Sequence, residues 1–102
     1  MQGSAFQIRV WQLIAKIPKG KVTTYKEIAK ALNTKAYRAV GSAVAKNPYA
    51  PKVPCHRVVN SNGNIGNYSA NGGVAKKIEL LKSEGVEIVD NKIDLDRFLH
   101  TF

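Results

Sequence analysis

Two short helices joined by a tight turn are written between Thr24 and Asn47, and they constrain the fold more than any other stretch of the chain. Thr24 followed three residues later by Glu27 has capping-box spacing, in which a hydroxyl accepts from a free helix N–H and the carboxylate reaches back. The helix it opens turns Ile28, Ala29 and Leu32 inward, and Asn33-Thr34 supplies the turn. A second helix runs to about Ala45 and is rich in small residues: Ala36, Ala39, Gly41, Ser42, Ala43 and Ala45. Asn47-Pro48 stops it, because a proline pushes the residue before it out of the helical region. This is helix-turn-helix spacing over about 24–46. Small side chains let a helix lie close to another surface, and packing against the first helix explains them as readily as a partner outside the protein.

The flanks are read by period and punctuation. Ser4 and Gln7 make another capping-box spacing, followed by Phe6, Val10, Leu13, Ile14 and Ile17 on one helical face, with Pro18-Lys19-Gly20 as the stop. Trp11 falls near that stripe and is expected in the core. Val58 and Val59 lead to Asn62-Gly63, a favoured hairpin dipeptide, from which Ile65 returns the chain. A last longer helix places Val74, Ile78 and Leu81 on one face and ends at Gly85. Beyond it, residues 86–94 around Asp90-Asn91 read as a second hairpin, and a short helical tail carries Leu95, Phe98, Leu99 and Phe102, with His100 at the surface. The expected fold class is mainly α with short β-hairpins.

Charge divides unevenly along the 102 residues, whose formal net charge is +9. Residues 1–78 hold 13 Lys or Arg and one acid, Glu27, whereas residues 79–102 hold three basic residues and six acids. Such a basic excess suits a polyanion, through phosphate neutralisation and counterion release, although a lysine-rich solvated surface gives the same count. One cysteine cannot form an internal disulfide, and one Cys with two distant His offers no zinc set. The N-terminal stretch lacks a continuous apolar core and nowhere is there a run of 18 apolar residues, so neither secretion nor membrane insertion is expected. The expectations are therefore no metal, no cofactor, no membrane, and a reducing intracellular compartment, cytoplasm or nucleus.

The chemistry concentrates in Pro54-Cys55-His56-Arg57-Val58-Val59. A lone thiol beside a base suggests a nucleophile, since the thiolate is the reactive form and needs a cation, a helix N-terminus or a histidine to appear at neutral pH. A lone Cys is more commonly a small buried residue, but the complete string resembles the active-site signature of the O6-alkylguanine-DNA alkyltransferases, the suicide repair proteins. The resemblance runs from about Phe6 to Gly85, through Arg38-Ala39-Val40-Gly41, Asn47-Pro48, Gly66-Asn67-Tyr68-Ser69 and Glu84-Gly85. It is a resemblance to the catalytic domain alone, without the N-terminal lobe many members carry.

That resemblance implies one winged helix-turn-helix-like DNA-binding domain over 1–102, with an active-site segment at 47–59 and a base-covering loop at 66–73. Its partner would be double-stranded DNA containing O6-alkylguanine, met by a monomer. Cys55 would take the alkyl group, His56 would accept the cysteine proton through a water, Glu84 would orient His56, and Asn47 would organise the turn before the cysteine. Tyr25 would press on the flanking phosphate and protonate the departing guanine, and Arg38 would replace the flipped base in the stack. Ala39, Gly41, Ser42, Lys26, Thr34 and Ser61 would also meet DNA, and Val44, Val58, Tyr68 and Ser69 would form the substrate pocket. Arg57 is read as structural. Flipping is required because O6 is shielded in the duplex. The sequence departs from the family at Ser69-Ala70-Asn71-Gly72-Gly73, about two residues longer than usual.

Two other functions compete. One is an alkyltransferase-like damage sensor that binds and flips alkylguanine without repair, but sensors of that kind replace the cysteine, commonly by tryptophan. The other is a generic helix-turn-helix regulator, which leaves the Cys55, His56 and Glu84 spacing without a purpose.

Overall fold

In the computed structural model residues 3–102 are described, so the first two residues of the expected 1–102 domain lie outside it. Helix α1 (Ala5–Ile14) begins at a complete capping box: Ser4 Oγ accepts from Gln7 N–H at 3.1 Å, and Gln7 Oε1 accepts from Ser4 N–H at 3.0 Å. Val10, Trp11 and Ile14 form its buried face. The helix ends at Ile14, a turn earlier than Pro18-Lys19-Gly20 suggests, because Lys16 and Ile17 donate to carbonyls three residues back. The tightened turn still delivers Ile17 to the core.

Strand β1 (Thr23–Thr24) feeds directly into α2 (Tyr25–Ala31). Thr24 Oγ1 accepts from Glu27 N–H at 3.1 Å, and the return bond from the Glu27 carboxylate is not made among the described residues, so only half of the capping box forms. At the other end Asn33 takes φ 53°, and the bonds Asn33 N–H to Lys30 O and Thr34 N–H to Ala29 O close the helix. Asparagine tolerates this left-handed position, which is why the turn falls there. Helix α3 (Tyr37–Ala45) then packs Val40, Ala43 and Val44 inward. Trp11 Nε1–H donates to Ala43 O at 2.8 Å, which fixes α1 against α3 and gives this tryptophan a core role.

A one-turn 3₁₀ segment, Cys55–Arg57, precedes β2 (Val58–Val59), which pairs in parallel with β1 in the register Thr23 with Val58 and Thr24 with Val59. The expected ladder between Val58-Val59 and Ile65 is absent. Asn60 N–H does bond Asn64 O around the Gly63 turn, but Ile65 N–H bonds Asn91 O at 3.0 Å and Ile93 N–H bonds Gly63 O at 2.9 Å. Val58 and Val59 are both fully buried, so β2 runs through the interior and takes its ladder from the equally buried β1. The second hairpin forms as read: Asp90 and Asn91 take φ 51° and 59°, and Val89 and Lys92 exchange two bonds.

Helix α4 (Gly73–Ser83) ends at Gly85, φ 88°, where Gly85 N–H to Lys82 O and Val86 N–H to Leu81 O form a Schellman motif. Its inward residues are Leu81 and Lys77, while Val74 is 40% exposed, so the helix is rotated from the stripe its apolar residues suggest. Helix α5 (Leu95–Phe98) follows, and the tail bonds back to the β1 region through His100 N–H to Val22 O and Thr23 Oγ1–H to His100 O. Phe98 is buried there and Phe102 is not. Two apolar clusters result. One joins α1, α2 and α3 to Val53, Cys55, Val58 and Tyr68, and the other joins Val22, Val59 and Leu81 to Ile65, Val86, Ile93 and Phe98. The two strands run between them.

Candidate active site

Cys55 is held by the turn that leads into it. Asn47 Nδ2–H donates to Val53 O at 2.8 Å and Asn47 Oδ1 accepts from Tyr49 N–H at 3.0 Å, so one amide side chain pins both limbs of the 47–53 loop. Cys55 is 6% exposed and borders a cavity of about 490 Å³. Tyr25 comes from α2, and Arg38, Gly41 and Val44 come from α3; Tyr68 and Ser69 come from the loop before α4. Tyr37, Ala45, Asn60, Gly66 and Asn67 complete the lining. The fold thus gathers residues from the helix-turn-helix, the cysteine segment and the 66–69 loop around one sulfur.

Burial pushes the Cys55 thiol above its ordinary range; the Asn47 hydrogen bond, the Lys77 charge and its own backbone amide pull the other way without cancelling that. In this state the group is a protonated thiol with stabilisers for the anion already beside it. Burial likewise raises Tyr25 and Tyr68, and the Cys55 thiolate, once formed, raises them further, which keeps both phenols as proton donors.

His56 is 2% exposed, and its Nε2 lies 3.0 Å from Glu84 Oε2. Its Nδ1 has no hydrogen-bond partner among the described residues. Burial pushes the imidazole below its usual value; Glu84 pushes it up through a hydrogen bond and charge, and Arg57 and Lys77 push it down again. His56 is therefore neutral at pH 7 and able to accept a proton. Glu84 is the C-cap of α4, so its position follows from where that helix stops. Arg57 grips the same carboxylate, Nε to Oε1 at 2.9 Å and Nη2 to Oε2 at 2.7 Å, and reaches Ile17 O at 2.8 Å with Nη1. Burial raises the Glu84 carboxyl, but the hydrogen bonds and charges of Arg57 and His56 more than offset it, leaving Glu84 below its ordinary value.

Lys77 has no role that the sequence pattern alone assigns. It is fully buried, a rare state for lysine unless it is paired, and Nζ donates to Val58 O at 2.8 Å and Asn67 O at 3.1 Å. It ties the cysteine-bearing segment to the loop over the cavity. Burial pushes it down to about 8, while the Cys55 charge raises it. A signal existed: Lys77 stands four residues before Leu81, on the buried face of α4.

Two substrate-pocket residues sit differently from their expected roles. Val58 lies outside the cavity lining, because its side chain belongs to the core and its carbonyl is taken by Lys77. Ser69 lines the cavity, but its hydroxyl donates to Ala45 O at 2.6 Å, which clasps the loop to α3.

The remaining residues picked from sequence are at the surface. Lys26, Arg38, Ala39, Ser42 and Ser61 are exposed, and Thr34 is half-buried with its Oγ1 accepting from Ala36 N–H at 3.1 Å. At Gly41 an added Cβ would meet nothing within 4 Å. Packing inside the protein therefore does not account for the small residues at 39, 41 and 42. Among the described residues no cluster of His, Cys, Asp or Glu could hold a metal, and no helix is long and apolar enough to cross a membrane.

A helix-turn-helix whose bare outer face runs into a cavity bordered by Cys55 defines a helix-turn-helix domain with a free buried thiol beside its outer face. The chain belongs to the family described as 6-O-methylguanine DNA methyltransferase, DNA binding domain, which its residues 5–86 match. A curated relative, the methylated-DNA--protein-cysteine methyltransferase of Candida glabrata, is 44% identical over 98 residues, 95% of this chain and 46% of the relative. The chain spans about half the length of the curated methyltransferases it matches. Among solved structures, Mycobacterium tuberculosis OGT in complex with DNA superposes with a TM-score of 0.76 at 43% identity, covering 81% of this chain and 51% of that one. Atl1 of S. pombe, solved with damaged DNA containing O6-carboxymethylguanine, gives a TM-score of 0.85 at 32% identity and covers 100% of both chains.

Proposed function

We propose that this chain is a single catalytic and DNA-binding domain that repairs DNA by direct reversal, moving an alkyl group from O6 of a flipped guanine to Cys55. The observation that carries this reading is that Cys55 borders the same cavity as Tyr25, Arg38 and Gly41 of the helix-turn-helix, so a base turned out of a duplex held on α3 enters against the sulfur. Arg38, exposed and planar, suits the gap left in the stack.

The Cys55 proton passes through a water to neutral His56, whose imidazolium Glu84 then stabilises. The thiolate, favoured by Asn47 and Lys77, attacks the alkyl carbon, forming a C–S bond. The C–O6 bond breaks, its electron pair passes to the guanine, and Tyr25 supplies a proton to the leaving base; the proton held by His56 then returns through water to the Tyr25 phenolate, restoring both groups. A thioether has no second nucleophile to clear it, so each molecule acts once. The chemistry needs Cys55 reduced, in keeping with a reducing intracellular compartment.

Intact mass spectrometry after mixing with a duplex containing O6-methylguanine tests this. One added methyl group on the peptide holding Cys55 is expected, with repair stopping at one equivalent, and Cys55→Ala should bind the duplex while transferring nothing. Multiple turnover, or repaired DNA beside an unmodified Cys55, would overturn the mechanism. The full-length match to Atl1 favours a second reading, a damage sensor; binding without transfer by the unmutated chain would select it. Equal affinity for alkylated and plain duplexes would leave a generic helix-turn-helix binder.

A further inference from the structure

Tyr37 opens α3 and is 51% exposed; of the exposed large apolar side chains among the described residues, Tyr37, Val74, Val89 and Phe102, it alone borders the cysteine cavity. Exposure of a single aromatic is ordinary and carries nothing. Its position does. The ring also borders a second depression of about 310 Å³ lined by Lys26, Lys30, Lys35, Asn33 and Thr34. Tyr37 is thus the ridge between a cavity that ends at a sulfur and a hollow rimmed by three lysines. The phenol has no hydrogen-bond partner among the described residues. Because neighbouring helical residues point about 100° apart, Tyr37 does not duplicate the direction of Arg38.

A nucleotide has the matching halves: a planar base, a sugar, and an anionic phosphate. Resting on the proposed repair reading, we infer that Tyr37 is a positioning residue for the extruded nucleotide. Its ring supports the sugar and base edge at the mouth of the cavity while the adjoining backbone phosphate lies over Lys26, Lys30 and Lys35. Arg38 fills the vacated stack, and Tyr37 keeps the nucleotide from swinging back.

The test compares the unmutated chain with Tyr37→Ala and Tyr37→Phe. Each is given a duplex containing O6-methylguanine and, separately, free O6-benzylguanine, with Cys55 alkylation followed by mass. A duplex carrying 2-aminopurine at the target position reports extrusion by fluorescence, and thermal denaturation checks the fold. Tyr37→Ala should lower the duplex rate and the fluorescence gain roughly 5- to 150-fold, the range that loss of one base–aromatic contact produces. Its rate with the free base should fall far less than its rate with the duplex, because only the duplex has a nucleotide that can swing back into a stack, and Tyr37→Phe should behave as the unmutated chain. The inference is overturned if Tyr37→Ala leaves the duplex rate and fluorescence intact, if it slows both substrates equally, or if Tyr37→Phe is as impaired as Tyr37→Ala. If the unmutated chain flips the base but transfers nothing, the repair reading falls while the fluorescence comparison still decides Tyr37.

Discussion

Replacing Arg57 by methionine removes the guanidinium that grips Glu84 and leaves a carboxylate whose side chain is 9% exposed. Three bonds go at once: 2.9 and 2.7 Å to the two carboxylate oxygens and 2.8 Å to Ile17 O. Breaking a buried ion pair by deleting one partner costs about 3–5 kcal/mol, because the other charge stays desolvated. The guanidinium side chain retains 15% exposure, and His56 still contacts Glu84, which places the loss at the low end. About 3 kcal/mol is expected, corresponding to a fall in Tm of about 12–24 °C for a domain of this size. Urea unfolding of Arg57→Met, Glu84→Gln and the double variant gives the coupling directly. The double variant should cost about 1–3 kcal/mol less than the two singles added, since removing both charges leaves none stranded. Strict additivity, or a loss below about 1 kcal/mol for Arg57→Met, would refute the ion-pair reasoning.

Arg38→Ala should slow alkyl transfer from duplex DNA far more than transfer from free O6-benzylguanine, because an exposed stacking group does no bond chemistry; equal losses in the two mass assays would remove that role. Gly41→Ala should raise stability by about 0.5–1 kcal/mol in urea titrations, since glycine is poor in a helix interior and an added Cβ finds open space. The same change should weaken duplex binding by crowding the outer face of α3, and unchanged affinity would show that DNA does not approach there. Acid should destabilise the fold: His56 lies below its ordinary 6.5 when folded, so its contribution is complete above pH 6.5 and is lost as pH falls through the folded value. Glu84, below its ordinary 4.5, adds a second loss further down. Urea midpoints that stay level from pH 7 to pH 4 would contradict this, and His56→Gln should lack the upper step.

Features that depend on a few adjacent residues are legible in the chain before it folds. Ser4 and Gln7 start α1, Thr24 starts α2, Asn33 turns the chain between α2 and α3, Gly85 ends α4, and Asp90-Asn91 make the hairpin turn, because each device is closed by bonds spanning three to five residues. The hexapeptide around Cys55 marked the family for the same reason: its residues are contiguous. Tertiary structure decided which segments meet. Whether Val58-Val59 pairs with Ile65 or with Thr23-Thr24 depends on which face is buried, and local pattern serves both. Lys77 inside the core breaks the usual rule for lysine, and only the presence of Val58 O and Asn67 O, 19 and 10 residues away, makes its burial tolerable. Arg57 and Glu84, 27 residues apart, become one unit with His56 only when α4 stops beside the 3₁₀ turn. The state of the Cys55 thiol follows from that packing too, since desolvation is a property of everything around a group and is written in no single stretch of chain.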